Sequence, residues 1–270
     1  MNLKSKLKLF YKELIFRLSS SNNLLFTFYY RYLYKPTPQT IDEFANIFSK
    51  SRTDITVIQI GANDGINNDP IHKFIKRDKW NGVLLEPQKD VFDKYLQRLY
   101  RKTNAIITLN AALDKSDGKK TLYKISACNS RWAHGLASFN RSVLEKSISS
   151  GYVARQALKE GCRLPENEND LIAEEQVECI SPETLIKRYG IKKIDWLQID
   201  TEGYDFEIIK MFNLPLTKPS VIVYENLHLT EETKEECIRF LNINGYYSKN
   251  YGPNTLAMHN PPDYLKRFFN

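Results

Sequence analysis

Cysteine is scarce in this chain, and its spacing excludes the sites that cysteine most often builds. The four residues are far apart and form no C-x-x-C pair, so we predict neither a zinc module nor a redox pair. We interpret them as reduced thiols of a cytoplasmic protein. These residues are Cys128, Cys162, Cys179 and Cys237.

A basic surface is missing from most of the chain. The net charge is +7 over 270 residues, but residues 1–35 alone hold seven Lys and Arg against one Glu. The 32 basic and 31 acidic residues of 36–270 nearly cancel, whereas binding of nucleic acid needs cations gathered on the folded surface. We therefore predict no nucleic-acid partner.

Long hydrophobic runs are absent as well. The apolar stretch 24–34 is too short to span a bilayer and is broken by Arg31, and no small-residue cleavage site marks a secretory signal. The first residues instead have the pattern of a basic amphipathic helix, which lies on an anionic membrane surface or packs on the body or on another subunit. Its apolar face consists of Leu3, Leu7, Phe10, Leu14 and Leu18, flanked by Lys6, Lys8, Lys12 and Arg17.

From residue 40 the chain alternates between strand and helix patterns, after a linker marked by Pro36 and Pro38. We therefore divide it into an N-terminal segment, 1–38, and one domain, 39–270. The alternation is typical of an α/β domain with a doubly wound, mostly parallel sheet. The predicted strands are 56–60, 82–85, 105–109, 119–125, 176–180, 194–199 and 220–224, and the predicted helices are 41–50, 71–77, 91–101, 182–189, 206–212 and 230–242.

Two regions depart from this alternation. Residues 246–251 and 255–259 flank the turn Gly252-Pro253-Asn254 and read as an antiparallel hairpin. Residues 126–175 are polar and poorly periodic apart from a helical stretch at 143–159. We interpret them as an insertion that covers the functional site.

A glycine turn follows the first strand of the domain, in Val57-Ile58-Gln59-Ile60-Gly61-Ala62-Asn63-Asp64-Gly65. The middle glycine of the nicotinamide-binding pattern G-x-G-x-x-G is missing, which favours a ligand that lacks a pyrophosphate. Glu86 ends the next strand beside this turn, where its carboxylate can accept both hydroxyls of a ribose. Together these two features predict a nucleoside-containing cofactor.

These residues resemble the FkbM-type methyltransferase family, within the S-adenosylmethionine-dependent methyltransferases of Rossmann-like fold. The resemblance runs in order over residues 55–260 and includes the closing hairpin. Its motifs are the glycine turn, Leu85-Glu86-Pro87, Asn110-Ala111-Ala112-Leu113 and Ile199-Asp200-Thr201-Glu202-Gly203-Tyr204-Asp205.

The resemblance implies a seven-stranded sheet with a reversed last strand and S-adenosylmethionine as cofactor. It puts the glycine turn under the methionine part, the second-strand acid on the ribose, and the residues after the third strand near adenine. The implied cofactor-binding residues are Gly61, Ala62, Asn63, Asp64, Gly65, Glu86, Pro87, Asn110, Ala111 and Ala112. Gln59 stands where family members often have Asp, so the role of that acid is in doubt in this chain.

Two acids follow the fourth core strand, at the crevice where a cofactor of such folds binds. Methyl transfer to a hydroxyl needs a base to take its proton, and either Asp200 or Glu202 can be that base or can bind substrate hydroxyls. Asp205 suits the N-terminus of the following helix as a cap. His228, after the fifth strand, is a further catalytic candidate or a solvated loop histidine.

The spacing of Asp200, Glu225 and His228 would allow a metal but does not require one, and we predict no metal ligand. We predict an S-adenosylmethionine-dependent O-methyltransferase whose acceptor, by the resemblance, is a saccharide or glycoconjugate. A small hydroxylated natural product, N-methylation and an inactive membrane-tethered binding protein stay open. A nicotinamide-dependent oxidoreductase is a further alternative. We expect a cytoplasmic protein. Peripheral association at the inner face of a membrane and the formation of an oligomer both stay open.

Overall fold

The computed structural model describes residues 3–126, 128 and 130–270, with side-chain surroundings from residue 10 onward except at 168 and 169. Its strands are β1 Thr56–Ile60, β2 Asn81–Leu85, β3 Ile106–Leu109, β4 Ala112–Leu113, β5 Gly118–Ile125, β6 Ile172–Ile180, β7 Trp196–Ile199, β8 Val221–Glu225, β9 Tyr246–Tyr251 and β10 Asn254–His259. The α-helices are Leu3–Ser20, Leu24–Phe28, Ile41–Lys50, His72–Asp78, Lys89–Val91, Gln97–Tyr100, Arg131–Gly135, Arg141–Ser149, Tyr152–Glu160, Pro182–Arg188, Asp205–Met211, Leu214–Thr217, Glu231–Ile243 and Asp263–Lys266. Tyr29–Leu33 and Phe92–Leu96 are π-helical and Glu168–Leu171 is a 3-10 helix.

The main sheet has seven strands in the order β3-β2-β1-β7-β8-β10-β9. Only β10 runs against its neighbours, since it pairs antiparallel with both β8 and β9. The predicted fold class, a mostly parallel doubly wound sheet with a C-terminal hairpin, is confirmed. The register aligns Ile60 with Leu85 on one side and with Ile199 on the other, so three strands end at the same level.

Both faces of this sheet are covered, which is why its central strands are apolar at successive positions rather than at alternate ones. All residues of β1 and β7 are buried. On one face the helix Ile41–Lys50 packs Phe44 and Phe48, both fully buried, against Trp196. Removal of either phenyl ring would cost about 3–5 kcal/mol.

Strands β4, β5 and β6, which lie mostly outside the insertion, form a second sheet that the sequence analysis did not foresee. Its order is β4-β6-β5, with β5 and β6 antiparallel over eight residue pairs. The helical stretch expected at 143–159 consists of two helices, because Gly151 adopts φ +71 and separates them.

The interpretation of all four cysteines as reduced thiols is also wrong. Cys128 and Cys162 form a disulfide inside the insertion, with their Cα atoms 5.9 Å apart, whereas Cys179 and Cys237 are free and buried. The two residues lie 34 positions apart in sequence, so only the fold of the insertion brings them together. Cysteine spacing therefore gives no argument for a reducing compartment.

The N-terminal segment begins with the predicted helix, and two residues of its predicted apolar face are exposed. Phe16 and the buried Ser19 and Phe26 face the domain, while Phe10 and Leu14 are exposed. The side chains of Leu3, Lys6, Leu7 and Lys8 lie outside the described residues. Within the described part of the chain, no helix has the length and apolar character needed to cross a bilayer.

Candidate functional site

The parallel strands β1, β2, β7 and β8 direct their carboxyl ends to one edge of the main sheet. In open α/β sheets, ligands bind in the crevice at that edge. The glycine turn follows β1, Glu86 follows β2, Asp200 follows β7, and Glu225 is the last residue of β8. The sequence-predicted acids and the glycine turn therefore meet at one crevice.

Gly61 forms the tightest contact of this crevice. It has φ +74, and a Cβ at this position would lie 1.8 Å from the carbonyl oxygen of Asp200. The amide of Asp200 in turn donates to the carbonyl of Ile60 at 3.0 Å. Only glycine fits here, because the lack of a side chain lets the turn pack against the backbone of Asp200, the candidate base.

Glu86 lies beside the turn, as predicted, and is 2% exposed. Its carboxylate accepts one hydrogen bond from the amide of Asn63 at 2.8 Å and one from the amide of Gln88 at 2.9 Å. Burial raises the pKa of Glu86 to about 7 despite these bonds. The Gln88 side-chain amide also donates to Oε1 at 3.4 Å. Because a carboxylate has about four lone-pair positions, one position on Oε2 is left for a hydroxyl donor.

The predicted contact residue Asp64 has its carboxylate occupied by the protein itself. It accepts from the amides of Ile66 and Asn67 at 3.0 and 2.8 Å and forms an ion pair with Arg131 at 3.0 Å. This buried acid therefore shapes the turn and ties it to the insertion. Its backbone, rather than its side chain, is left to face a ligand.

The other predicted cofactor residues have different surroundings. Gly65 is buried, and a Cβ there would lie 2.9 Å from methyl carbons of Leu96 and Leu99. Asn110 donates to the carbonyls of Glu86 and Pro87 at 2.9 Å each, which joins the ends of β3 and β2. Ala111 is half-buried, and Ala112 begins β4 in the core of the second sheet.

The other side of the crevice gathers four acids, Asp200, Glu202, Asp205 and Glu225. Asp200 keeps a solvent-exposed face, but enclosure by protein atoms and the charges of Glu202 and Asp205 raise its pKa well above the usual range. Burial and the charge of Asp200 raise the pKa of Glu225 to about 10. One oxygen of Glu225 is enclosed and has no hydrogen-bond partner among the described residues.

Asp205 connects the loop after β7 to the end of β8 and is fully buried. It accepts from the Thr201 hydroxyl at 3.1 Å, from the Gly203 amide at 3.3 Å and from the Glu225 amide at 3.2 Å. Burial raises its pKa to about 6. It lies in the first turn of its helix, where an acid is favourable, and its bonds fix the loop that carries Glu202.

Glu202 and His228 form a pair, with Oε2 and Nε2 2.8 Å apart. This hydrogen bond raises the pKa of His228. Glu202 has φ +51, a strained conformation for a residue with a side chain. Its carbonyl accepts from the Ser138 hydroxyl of the insertion at 2.9 Å, which brings the insertion against the acid cluster.

One ligand atom from each of Glu202, Glu225 and His228 lies within 4.8 Å of the other two. Imidazole and carboxylate are ligands for divalent transition metals, so this trio is the part of the crevice that could hold a cation. The sequence analysis considered Asp200, Glu225 and His228 for such a site, whereas the structure brings Glu202 rather than Asp200 close to the other two.

The insertion contacts the glycine turn and the loop after β2 in ways that sequence patterns do not reveal. Besides the ion pair of Arg131 with Asp64, the side-chain amide of Gln88 donates to the His134 carbonyl at 2.8 Å. Among the described residues, both ring nitrogens of His134 and the indole nitrogen of Trp132 are enclosed without a hydrogen-bond partner. Arg131 and Gln88 were missed because their partners are distant in sequence, whereas Glu225 was considered from sequence only as a possible metal ligand.

Comparison with known proteins identifies a protein family. The family model of the methyltransferase FkbM domain matches residues 59–248. No curated protein matches the chain.

Solved structures of three methyltransferases are similar at low identity. Methyltransferase FkbM from Methylobacillus flagellatus KT is 11% identical with a TM-score of 0.45, over 76% of this chain and 44% of that chain. Precorrin-6y C5,15-methyltransferase from Geobacter metallireducens GS-15 is 11% identical with a TM-score of 0.37, over 80% and 85% of the two chains. The methyltransferase domain of METTL16 is 11% identical with a TM-score of 0.41, over 85% and 71%. The chain thus spans less than half the length of the first of these proteins.

Proposed function

The chain belongs to the FkbM methyltransferase domain family by its match over residues 59–248, and we propose that it is an S-adenosylmethionine-dependent O-methyltransferase. The acceptor in this proposal is a hydroxyl group of a saccharide or glycoconjugate. One observation carries the proposal: the glycine turn touches the backbone of Asp200. A cofactor seated on the turn and a base on Asp200 would thus be neighbours.

The residues present fit this cofactor. Gly61, Asn63 and Glu86 would hold it, since Glu86 keeps an acceptor position for a ribose hydroxyl and the turn admits no side chain at Gly61. Bound S-adenosylmethionine would supply an electrophilic methyl group on a positively charged sulfur. The neighbouring acids favour a cation, because burial and, after it, the charges of neighbouring carboxylates raise the pKa values of Asp200 and Glu225.

Asp200 is the better base of the two acids considered from sequence. Glu202 is already bonded to His228, whereas Asp200 has an exposed face toward the crevice. A raised pKa makes a carboxylate a stronger proton acceptor near neutral pH. In this proposal Asp200 takes the proton of the acceptor hydroxyl, while the Glu202–His228 pair binds and orients the acceptor.

The acceptor class rests on the family resemblance together with the polar character of the crevice. Several carboxylates at one site can accept hydrogen bonds from neighbouring hydroxyls of a polyol. A small hydroxylated natural product would use the same groups. The two acceptor classes are separated by assay rather than by geometry.

Cofactor binding is the first test. Titration calorimetry should detect binding of S-adenosylmethionine, and Glu86→Ala should weaken it about tenfold to hundredfold, because two amides lose their acceptor along with the ribose contact. Glu183→Ala, which removes an exposed acid, is the control and should bind as the wild type does. Absence of heat with the folded wild type would favour an inactive scaffold, and binding of NAD(H) instead would favour an oxidoreductase.

Methyl transfer is the second test. A panel of glycans and of small hydroxylated compounds would be searched by mass spectrometry for a gain of about 14 Da, the mass of one added CH2. With an acceptor in hand, Asp200→Asn should lower kcat about 100-fold to 1000-fold while cofactor affinity changes less than about threefold. Unchanged turnover of Asp200→Asn would refute the assignment of the base.

A further inference from the structure

The N-terminal segment is attached to the domain along one side. Phe26 is buried. The Asn22 side-chain amide donates to the Lys102 carbonyl at 2.6 Å, and Arg31 donates to the Arg77 carbonyl at 2.9 Å. Phe16 packs edge-on against Tyr95 at 6.0 Å between ring centroids. These contacts determine which side of the segment faces away from the body.

The side that faces away carries a concentration of apolar and aromatic side chains, which we call the outer face. Of the 17 exposed large hydrophobic residues in the described chain, nine fall within residues 10–33. Scattered exposed residues are ordinary on a protein surface, but a contiguous set marks an interaction site. The outer face consists of Phe10, Tyr11, Leu14, Leu24, Leu25, Phe28, Tyr29, Tyr32 and Leu33.

The same segment holds nearly all of the protein's excess positive charge, with seven basic residues and one acidic residue in 1–35. We propose that the outer face docks on an anionic lipid bilayer, with its apolar side chains in the headgroup region and the net positive charge of residues 1–35 attracted to the lipid phosphates. Tyr and Phe side chains suit that boundary because an apolar ring can enter it while polar groups stay hydrated. Basic side chains near an anionic bilayer add to the attraction.

A second copy of the chain is a poorer occupant of this face. A dimer formed through it would bring two segments of charge +6 together, and like charges repel across an interface. An anionic membrane surface would instead attract the positively charged segment.

The test uses the full chain and vesicles of phosphatidylcholine with or without phosphatidylserine. The wild type should sediment with the anionic vesicles, less so as salt is raised, and only weakly with neutral ones. The triple variant Leu24→Ser, Leu25→Ser, Phe28→Ser should lower the partition coefficient about tenfold or more. Point variants are preferable to deletion of the segment, because deletion would uncover the surface that Phe16 and Phe26 cover.

The matched control is Leu158→Ser, Leu216→Ser, Ile243→Ser, three residues that are 84%, 79% and 86% exposed at separate positions. This variant should sediment as the wild type does, and thermal unfolding would verify that both triple variants are folded. Equal sedimentation of the two triple variants, or no preference for anionic vesicles, would overturn the proposal. Self-association of the wild type that the outer-face variant abolishes, without vesicle binding, would assign the face to a second copy instead.

Discussion

The two halves of the crevice differ in how their acidic groups are satisfied. In the proposed cofactor half, at the ends of β1 and β2, Glu86 and Asp64 each accept two backbone amides. In the proposed acceptor half, at the ends of β7 and β8, Glu225 has an oxygen without a partner in the described chain, and Asp200 is surrounded by other acids. The first half is held in shape by its own hydrogen bonds, whereas the second carries repulsion that is not relieved within the chain.

This difference assigns separate physical tasks to the halves. A site that binds one constant ligand benefits from a fixed shape, because little conformational freedom is then lost on binding. A site that must move a proton benefits from acids whose pKa values are raised. The strained φ of Glu202 belongs to the second half, and strain of this kind clusters at functional sites, which supports the proposed role of that half.

The largest expected effect comes from the residue where the halves touch. Gly61→Ala would put a Cβ 1.8 Å from the Asp200 carbonyl oxygen at a φ of +74, so the ends of β1 and β7 would have to separate. We expect a loss of more than about 4 kcal/mol in the free energy of unfolding, measured by urea denaturation, and loss of cofactor binding in any folded fraction.

The control for this change is Gly252→Ala in the turn of the hairpin. Gly252 has a similar φ of +63, but no atom lies within 4 Å of a Cβ placed there. Only the conformational cost of about 1 kcal/mol is expected. If both variants lose similar amounts of stability, the close contact of Gly61 with the Asp200 carbonyl oxygen is not the reason why glycine is needed at position 61.

The second effect concerns the pH dependence of the cofactor half. The folded-state pKa of Glu86 is raised from 4.5 to about 7, so its protonated form stabilises the fold fully below pH 4.5 and that contribution is lost as pH rises through 7. Glu86→Gln cannot titrate. The stability of this variant relative to the wild type should therefore increase with pH over that window, by on the order of 3 kcal/mol.

Urea denaturation at a series of pH values measures this change. The absolute difference in the free energy of unfolding between Glu86→Gln and the wild type also includes the altered bonds to the Asn63 and Gln88 amides. The change of that difference with pH is therefore the quantity to compare. Parallel pH profiles would mean that Glu86 is ionised in the fold as readily as in the unfolded chain.

The fold of the main sheet could be predicted because local patterns determine it. The apolar run of β1 gave its observed bounds, Thr56–Ile60, and Gly252 with Pro253 located the hairpin whose β10 runs antiparallel to β8. Since parallel strands end at one edge, the meeting of the glycine turn, Glu86 and Asp200 followed from chain order alone. The resemblance to the family added the expected cofactor.

The internal structure of the insertion could not be predicted, because contacts between residues distant in sequence form it. Strand β6 begins at Ile172, four residues before the predicted start, in a stretch with several charged residues. Its backbone hydrogen bonds to β5 do not depend on an apolar pattern. Likewise, the pairing of Asp64 with Arg131 joins residues 67 positions apart in sequence, and no local signal in either residue indicates the other.

The smallest effect, which sharpens the comparison most directly, is expected in the acceptor half. Glu225 is partly buried, and its raised pKa means that the folded protein keeps it protonated at neutral pH, which costs stability that grows as pH rises above 4.5. Glu225→Gln should therefore raise the free energy of unfolding by about 1 kcal/mol at pH 8, after allowance for solvent screening, and by less at pH 5. Glu183→Gln, an exposed acid, should stay within about 0.5 kcal/mol of the wild type at both pH values. A loss of stability in Glu225→Gln at pH 8 would show that the repulsion among the acids is relieved in the folded protein, and the two halves of the crevice would then not differ in the way described.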